Sequence, residues 1–192
     1  MTTDTNTLAE PQPELLRRTI AAGEARVAVF RRSFDAPIED VWDACTNPER
    51  LARWYTTVTG DLRVGGTFQQ TNMGSGQIVR CEQPHLLTLS LGQNGADEIE
   101  LRLATADGGA TTLELQHATT IDQHEIGGQM FDAVYCMGGG YYPRFVALDR
   151  LLRGSLPEDY DATAFHLNPE MRPAIDRGSS AMAELLEADG GA

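Results

Sequence analysis

The chain contains no lysine; its fifteen basic residues are all arginine, set against twenty-eight Asp and Glu, for a formal net charge of −13. Without lysine, Schiff-base and lysine-nucleophile chemistry are excluded. The shortage of positive charge makes a phosphate backbone a poor match, so no nucleic-acid partner is expected. Cysteine is scarce: Cys45, Cys81 and Cys136 are scattered, odd in number and without a CxxC pair. That argues against a disulfide framework or a zinc knuckle, and the three read as reduced thiols in small apolar sites. Long apolar runs are also missing, and the opening MTTDTNTLAEPQPE is polar rather than charged and then apolar. Neither a membrane span nor a secretory signal is expected, and the protein reads as cytoplasmic.

What is present fits a folded chain with a sizeable core, 192 residues long and 41% hydrophobic. Residues 1–24 read as a flexible N-terminal segment in which ELLRRTIAAGE can make a turn or two of helix. ARVAVFRRSF alternates apolar residues as a first strand does. After Pro37, Ile38, Val41, Trp42 and Cys45 recur at helical spacing; Asn47 and Pro48 then cap and open a second short helix carrying Leu51 and Trp54. A ladder of short strands follows, broken at Gly65-Gly66, Gly74-Ser75-Gly76, Pro84 and Asp107-Gly108-Gly109. Its last hairpin sets Ile99, Leu101 and Leu103 against Leu113 and Leu115. The glycines at 138–140 read as a hinge before a helix with Pro143 in its first turn and Tyr141, Phe145, Leu148 and Leu152 on its apolar face.

This order, strand, two short helices, antiparallel meander, longer helix, lacks βαβ alternation and predicts an α+β fold rather than a doubly wound one. A curved antiparallel sheet around a long C-terminal helix satisfies both apolar faces, with the two short helices closing one end. Residues 155–192 read as a C-terminal extension, helical from Asn168 onward, with Met171, Ile175, Gly178, Met182 and Leu185 on one stripe. That stripe requires cover from its own chain, from the mouth of a cavity, or from a second subunit in a homodimer through the extension.

The stretches FDAPIEDVWDACTNPERLARWY, GDLRVGGTF, GQIVRCEQPHLLTLSL, TTLELQH and GGGYYPRFVALDRLL resemble, in order and spacing, the START-like (SRPBCC) superfamily. Within it they are closest to the group named after the activator of the heat-shock-protein-90 ATPase. The resemblance implies a helix-grip fold over residues 25–154 and a deep ligand cavity between sheet and last helix. Its departures are Tyr141 where Trp is usual, Arg80 where an acidic residue is common, and Leu91 where Trp is frequent. The co-chaperone's separate N-terminal domain has no counterpart in it, so activity on that chaperone is not implied. The extension resembles tails of some bacterial relatives.

For such a cavity the candidate lining residues are Trp54, Phe68, Gln70, Asn72, Gln77, Val79, Leu89, His117, Tyr141 and Phe145. Phe68 pointing inward brings Gln70 and Asn72 with it at period two; Val79 and Cys81 inward bring Gln77 and leave Arg80 outside, the register preferred over the opposite one, which would bury Ile78 with Arg80. His117 continues the Leu113 and Leu115 face, where the family commonly has His. Asp122, His124 and Glu125 in IDQHE have no common metal spacing and fall in an expected loop, so no metal and no cofactor are predicted. The leading expectation is binding of a small hydrophobic or amphiphilic molecule. The alternatives are a cyclase- or hydrolase-type enzyme acting on a polyketide-like or aromatic substrate, and a co-chaperone-like protein-interaction module.

Overall fold

The computed structural model describes residues 11–190. Ten strands and four helices follow one another as β1 (Gln12–Ile20), β2 (Gly23–Phe34), α1 (Ile38–Thr46), α2 (Pro48–Trp54), β3 (Val58–Gly60), β4 (Thr67–Gln70), β5 (Gly74–Glu82), β6 (Leu86–Leu91), β7 (Asp97–Thr105), β8 (Thr111–Thr119), β9 (Gln123–Ile126), β10 (Gln129–Asp132), α3 (Ala133–Leu152) and α4 (Arg172–Gly190). Eight strands form one antiparallel sheet in the order β1-β2-β8-β7-β6-β5-β4-β3. This is the α+β helix-grip layout: Phe30 and Phe34 of β2 pack on Tyr141, Tyr142 and Phe145 of α3.

The meander follows its sequence pattern closely. Leu87 pairs across with Leu101, Leu89 with Ile99, Leu101 with Leu115 and Leu103 with Leu113, so one face of three adjacent strands is continuously apolar. The short helices form where their caps predict. Asn47 Oδ1 accepts the Glu49 amide at 3.0 Å, and the Trp54 indole donates to the Ala44 carbonyl at 2.8 Å, tying α2 to α1.

Four expectations are corrected. ELLRRTI, expected to make a turn or two of helix, is strand β1; residues 1–10 of the segment expected to be flexible lie outside the described residues. Its Glu, Leu and Arg are good helix formers, but the ladder offered by β2 and an ion pair from Arg31 to Glu14 at 2.8 Å override that weak preference. The IDQHE stretch, expected as a loop, enters the β9–β10 hairpin, which turns at Gly127 and Gly128 with φ of 60° and 82°. The third concerns α3, which begins at Ala133, capped by Asp132 Oδ1 accepting the Val134 amide at 2.8 Å, so Gly138–Gly140 are helical rather than a hinge. The fourth concerns the tail: α4 begins at Arg172, with Asn168 capping only the turn before it.

The apolar stripe of α4 packs on its own chain. Met171, Ala174, Gly178 and Met182 are buried, and a Cβ placed on Gly138 would lie 2.1 Å from the Gly178 carbonyl oxygen. Gly138 is thus explained by backbone contact between the helices, and Gly139 by the Ser179 hydroxyl, which a Cβ there would approach to 2.7 Å. Among the described residues no helix is long and apolar enough to cross a membrane.

Candidate functional site: a divided cavity under α3

Between the apolar face of β6–β8, helices α1 and α2, and α3 lies an inner chamber of about 60 Å³. Its floor is Leu87, Leu89, Ile99, Leu101, Leu113 and Leu115, its roof Tyr141, Arg144 and Phe145, and its end wall Cys45, Leu51, Trp54 and Tyr55. A second hollow of about 240 Å³ runs toward β4 and β5, lined by Trp42, Val58, Phe68, Ile78 and Cys81 among others. Cys45, Leu51, Gln70, Leu87 and Leu89 border both. Sites for drug-sized ligands span about 300–1,000 Å³, so a guest of that size requires this shared wall to move.

Of the predicted residues, Trp54, Gln70, Leu89, Tyr141 and Phe145 border the chamber, and Phe68 borders the outer hollow. Gln70 is only 4% exposed and its side chain hydrogen-bonds the Tyr55 hydroxyl. Asn72 is not there: it sits in the β4–β5 turn at φ 61° and is exposed. Gln77 and Val79 are corrected as well. Ile78 pairs with Leu89, the next pair is Arg80 with Thr88, and Val79 is the extra residue of a bulge, 48% exposed. The bulge resets the alternation, so Ile78 and Cys81 share the cavity side while Arg80 faces out, paired with Glu82 at 2.5 Å. Gln77 points away and donates to the Gly65 carbonyl at 2.9 Å.

His117 is also corrected: it lies on the same sheet face, paired with Ile99, but does not border the chamber and meets it only through Tyr141. Its Nδ1 lies 2.8 Å from the Tyr141 hydroxyl and its Nε2 3.3 Å from Asp97 Oδ1, giving a chain from Asp97 through His117 to the chamber roof. Burial pushes the Asp97 carboxyl up, but hydrogen bonds from His117 and Thr119, with the nearby His117 and His124, outweigh it and hold it below the usual carboxylate range. Burial lifts the Tyr141 phenol well above its ordinary value, helped by Tyr55 and Asp97 and opposed by Arg144, so it stays neutral. The Arg144 guanidinium stacks 4.9 Å from the Tyr55 ring and 4.5 Å from the Phe165 ring.

Sequence reasoning missed Tyr55, Arg144 and, apart from Leu89, the residues of the floor as lining groups. The leucines were legible as an inward face; Tyr55 and Arg144 were not, because Tyr55 caps the end of α2 with non-helical angles and Arg144 lies on α3, and only packing sets where each points. Cys45 was read as a thiol filling an apolar site, and burial pushes it up to about 12, with Arg50 only partly opposing. In a thiol titration of the folded protein, exposed Cys81 is expected to react promptly and Cys45 only after unfolding. Equal rates for both would show that the chamber opens freely to water.

A family model, "Activator of Hsp90 ATPase homolog 1-like protein", matches residues 35–139. The crystal structure of CalU16 from Micromonospora echinospora is 37% identical, covers 91% of this chain and 97% of its own, and superposes with a TM-score of 0.73. PFC0360w, an HSP90 activator from Plasmodium falciparum, shares the fold at 17% identity, covering 67% of this chain and 96% of its own with a TM-score of 0.55. DynU16, a protein of the dynemicin biosynthetic locus, does so at 22% identity, covering 70% of this chain and 50% of its own, TM-score 0.55. No curated protein matches. With the helix-grip layout, the family match over 35–139 and the similarity to CalU16 along nearly its full length, the chain belongs to the Activator of Hsp90 ATPase homolog 1-like group of the START-like superfamily.

Proposed function

We propose that the protein binds a small hydrophobic or amphiphilic molecule in the divided cavity, without covalent chemistry. The observation that carries this reading is the apolar chamber whose walls bring in few polar groups, Gln70, Tyr55, Tyr141 and Arg144. Apolar area removed from water supplies most of the affinity, about 25 cal/mol per Å², and the polar groups orient the guest. Screening lipids, polyketides and aromatic metabolites by thermal shift tests it. A ligand at a hundred times its dissociation constant stabilises by about 2.7 kcal/mol, which in a chain of this size raises Tm by roughly 5–10 °C. Replacing Leu89, which borders both compartments, by Trp is expected to abolish that shift while the unliganded fold loses about 1–3 kcal/mol from overpacking. No shift with any compound, or a shift undiminished in Leu89→Trp, overturns the proposal.

The Asp97–His117–Tyr141 chain favours one second reading, an enzyme of cyclase or hydrolase type on an aromatic or polyketide-like substrate. There a substrate proton passes to Tyr141 Oη as the phenol proton moves to His117 Nδ1, and Asp97 balances the imidazolium. Turnover lost in His117→Ala with binding retained supports it; binding without turnover of such substrates by the wild type rejects it.

A further inference from the structure

We infer that Asp97 and His117 fix Tyr141 as a hydrogen-bond acceptor toward the chamber, so that the ligand is one presenting a donor there: a phenol, an enol or another O–H group. The inference rests on the ligand-binding reading above and narrows it to a chemical class.

The argument follows the hydrogens outward from the charged end of the chain. Asp97 takes hydrogen bonds from Thr119 and His117, and an ionised carboxylate can only accept. When the imidazole carries a single hydrogen, as at alkaline pH, where the binding tests below are run, that hydrogen sits on Nε2, facing Asp97. Nδ1 is left with a lone pair, and at 2.8 Å it takes the hydrogen of the Tyr141 hydroxyl. A phenol has one hydrogen and two lone pairs. With that hydrogen committed to His117, Tyr141 Oη, on a side chain that borders the chamber, has lone pairs alone left to offer a guest that reaches it. Tyr141 is buried and borders the chamber, so water competes weakly for them. The neighbouring polar pair, Gln70 and Tyr55, is turned inward on itself. A carbonyl-only guest would face the Tyr141 lone pairs with its own. Asp97 and His117 act here as positioning residues, setting the polarity of a group they do not share with the ligand.

The test compares para-cresol, which donates, with acetophenone, which only accepts, by calorimetric titration of the full chain. The quantity read is the ratio of their two dissociation constants, and its change between variants cancels the intrinsic difference between probes. Relative to wild type, Tyr141→Phe is expected to shift the ratio against para-cresol by about fivefold, the worth of one net hydrogen bond. Asp97→Asn carries the distinctive outcome. Its amide, with the oxygen kept by Thr119, presents N–H to His117 Nε2, moves the imidazole hydrogen to Nδ1 and turns the Tyr141 O–H toward the chamber. The ratio should then shift toward acetophenone beyond that of Tyr141→Phe, which a merely structural role for Asp97 would not produce. Nitrogen NMR of the wild-type histidines gives an independent check, with His117 expected as the Nε2–H tautomer. An Nδ1–H tautomer, or a ratio unchanged in both variants, overturns the inference and leaves the ligand-binding reading standing. Failure of either probe to bind the wild type, with the broader screen also empty, overturns both.

Discussion

Asp149→Ala is expected to lose about 3–5 kcal/mol of stability, the largest effect of any single side-chain truncation considered, because it removes the carboxylate facing a cation inside the core. Asp149 lies on α3 and Arg32 on β2, 3.7 Å apart, with side chains 4% and 2% exposed. The same carboxylate accepts from Arg153 at 3.0 Å, one turn along α3. The Arg32 guanidinium also lies 5.2 Å from the centre of the Phe34 ring. Truncation of Asp149 therefore takes the facing carboxylate from the buried Arg32 and from Arg153 together. At roughly 2–4 °C per kcal/mol for a chain of this size, Tm should fall by at least about 6 °C. The double variant Arg32→Met with Asp149→Leu discriminates the cause: it removes both charges, keeps volume, and is expected to recover most of the loss. A Tm unchanged in Asp149→Ala would mean that Arg32 is solvated in solution and that α3 does not seat as described.

Gly178→Ala is expected to undock α4, although helix propensity alone favours alanine over glycine by about 1 kcal/mol. A Cβ on Gly178 would lie 2.2 Å from the Gly138 carbonyl oxygen, and one on Gly138 would lie 2.1 Å from the Gly178 carbonyl oxygen. Both clashes are with backbone, so no rotamer relieves them; the helices must part. Parting exposes Met171 and Met182, which are fully buried, at about 1.5–3 kcal/mol for each side chain. Hydrogen exchange within α4 and limited proteolysis over residues 155–171 should both accelerate, while amides of β6–β8 keep their protection. Gly140→Ala is the control. Its Cβ would meet only the Arg144 Nη1 at 3.3 Å, the end of a flexible side chain, so it should leave α4 docked. A rise in Tm on Gly178→Ala would show that propensity prevails and that the contact is looser than a backbone crossing.

Much of the site was legible before any coordinates because its floor is made of regular strands. In β7 and β8 every second residue is apolar, the turn at Asp107-Gly108-Gly109 sets the hairpin register, and Leu113, Leu115, Ile99 and Leu101 meet as the alternation demands. In β5 the same rule failed. GQIVRCE offers two registers of nearly equal apolar content, and a bulge at Val79 serves both by putting Ile78 and Cys81 on one face. Nothing in those seven residues announces it, since the bulge is fixed by how β5 meets β6. Asn72 failed for a related reason, because β4 ends at Gln70 and the period-two count ran past it into the turn. His117 was singled out correctly as a residue of consequence, but its place behind Tyr141 depends on a helix twenty-four residues further along the chain.

From the chain alone one reads the order of elements between β2 and α3 apart from the β9–β10 hairpin, the apolar faces of sheet and helices, the cap at Asn47, and the exclusion of lysine chemistry. Those properties are local, written in periods of two and 3.6 residues and in what single side chains can and cannot do. Packing settles that residues 12–20 are a strand, that Gly138 meets Gly178 at a helix crossing where a hinge was expected, that the cavity is divided, and that Asp97 connects to Tyr141 on its roof through His117. Each of these depends on a partner far away in the chain, whose distance and rotation are set by the packing of the whole core, and no local pattern carries that information.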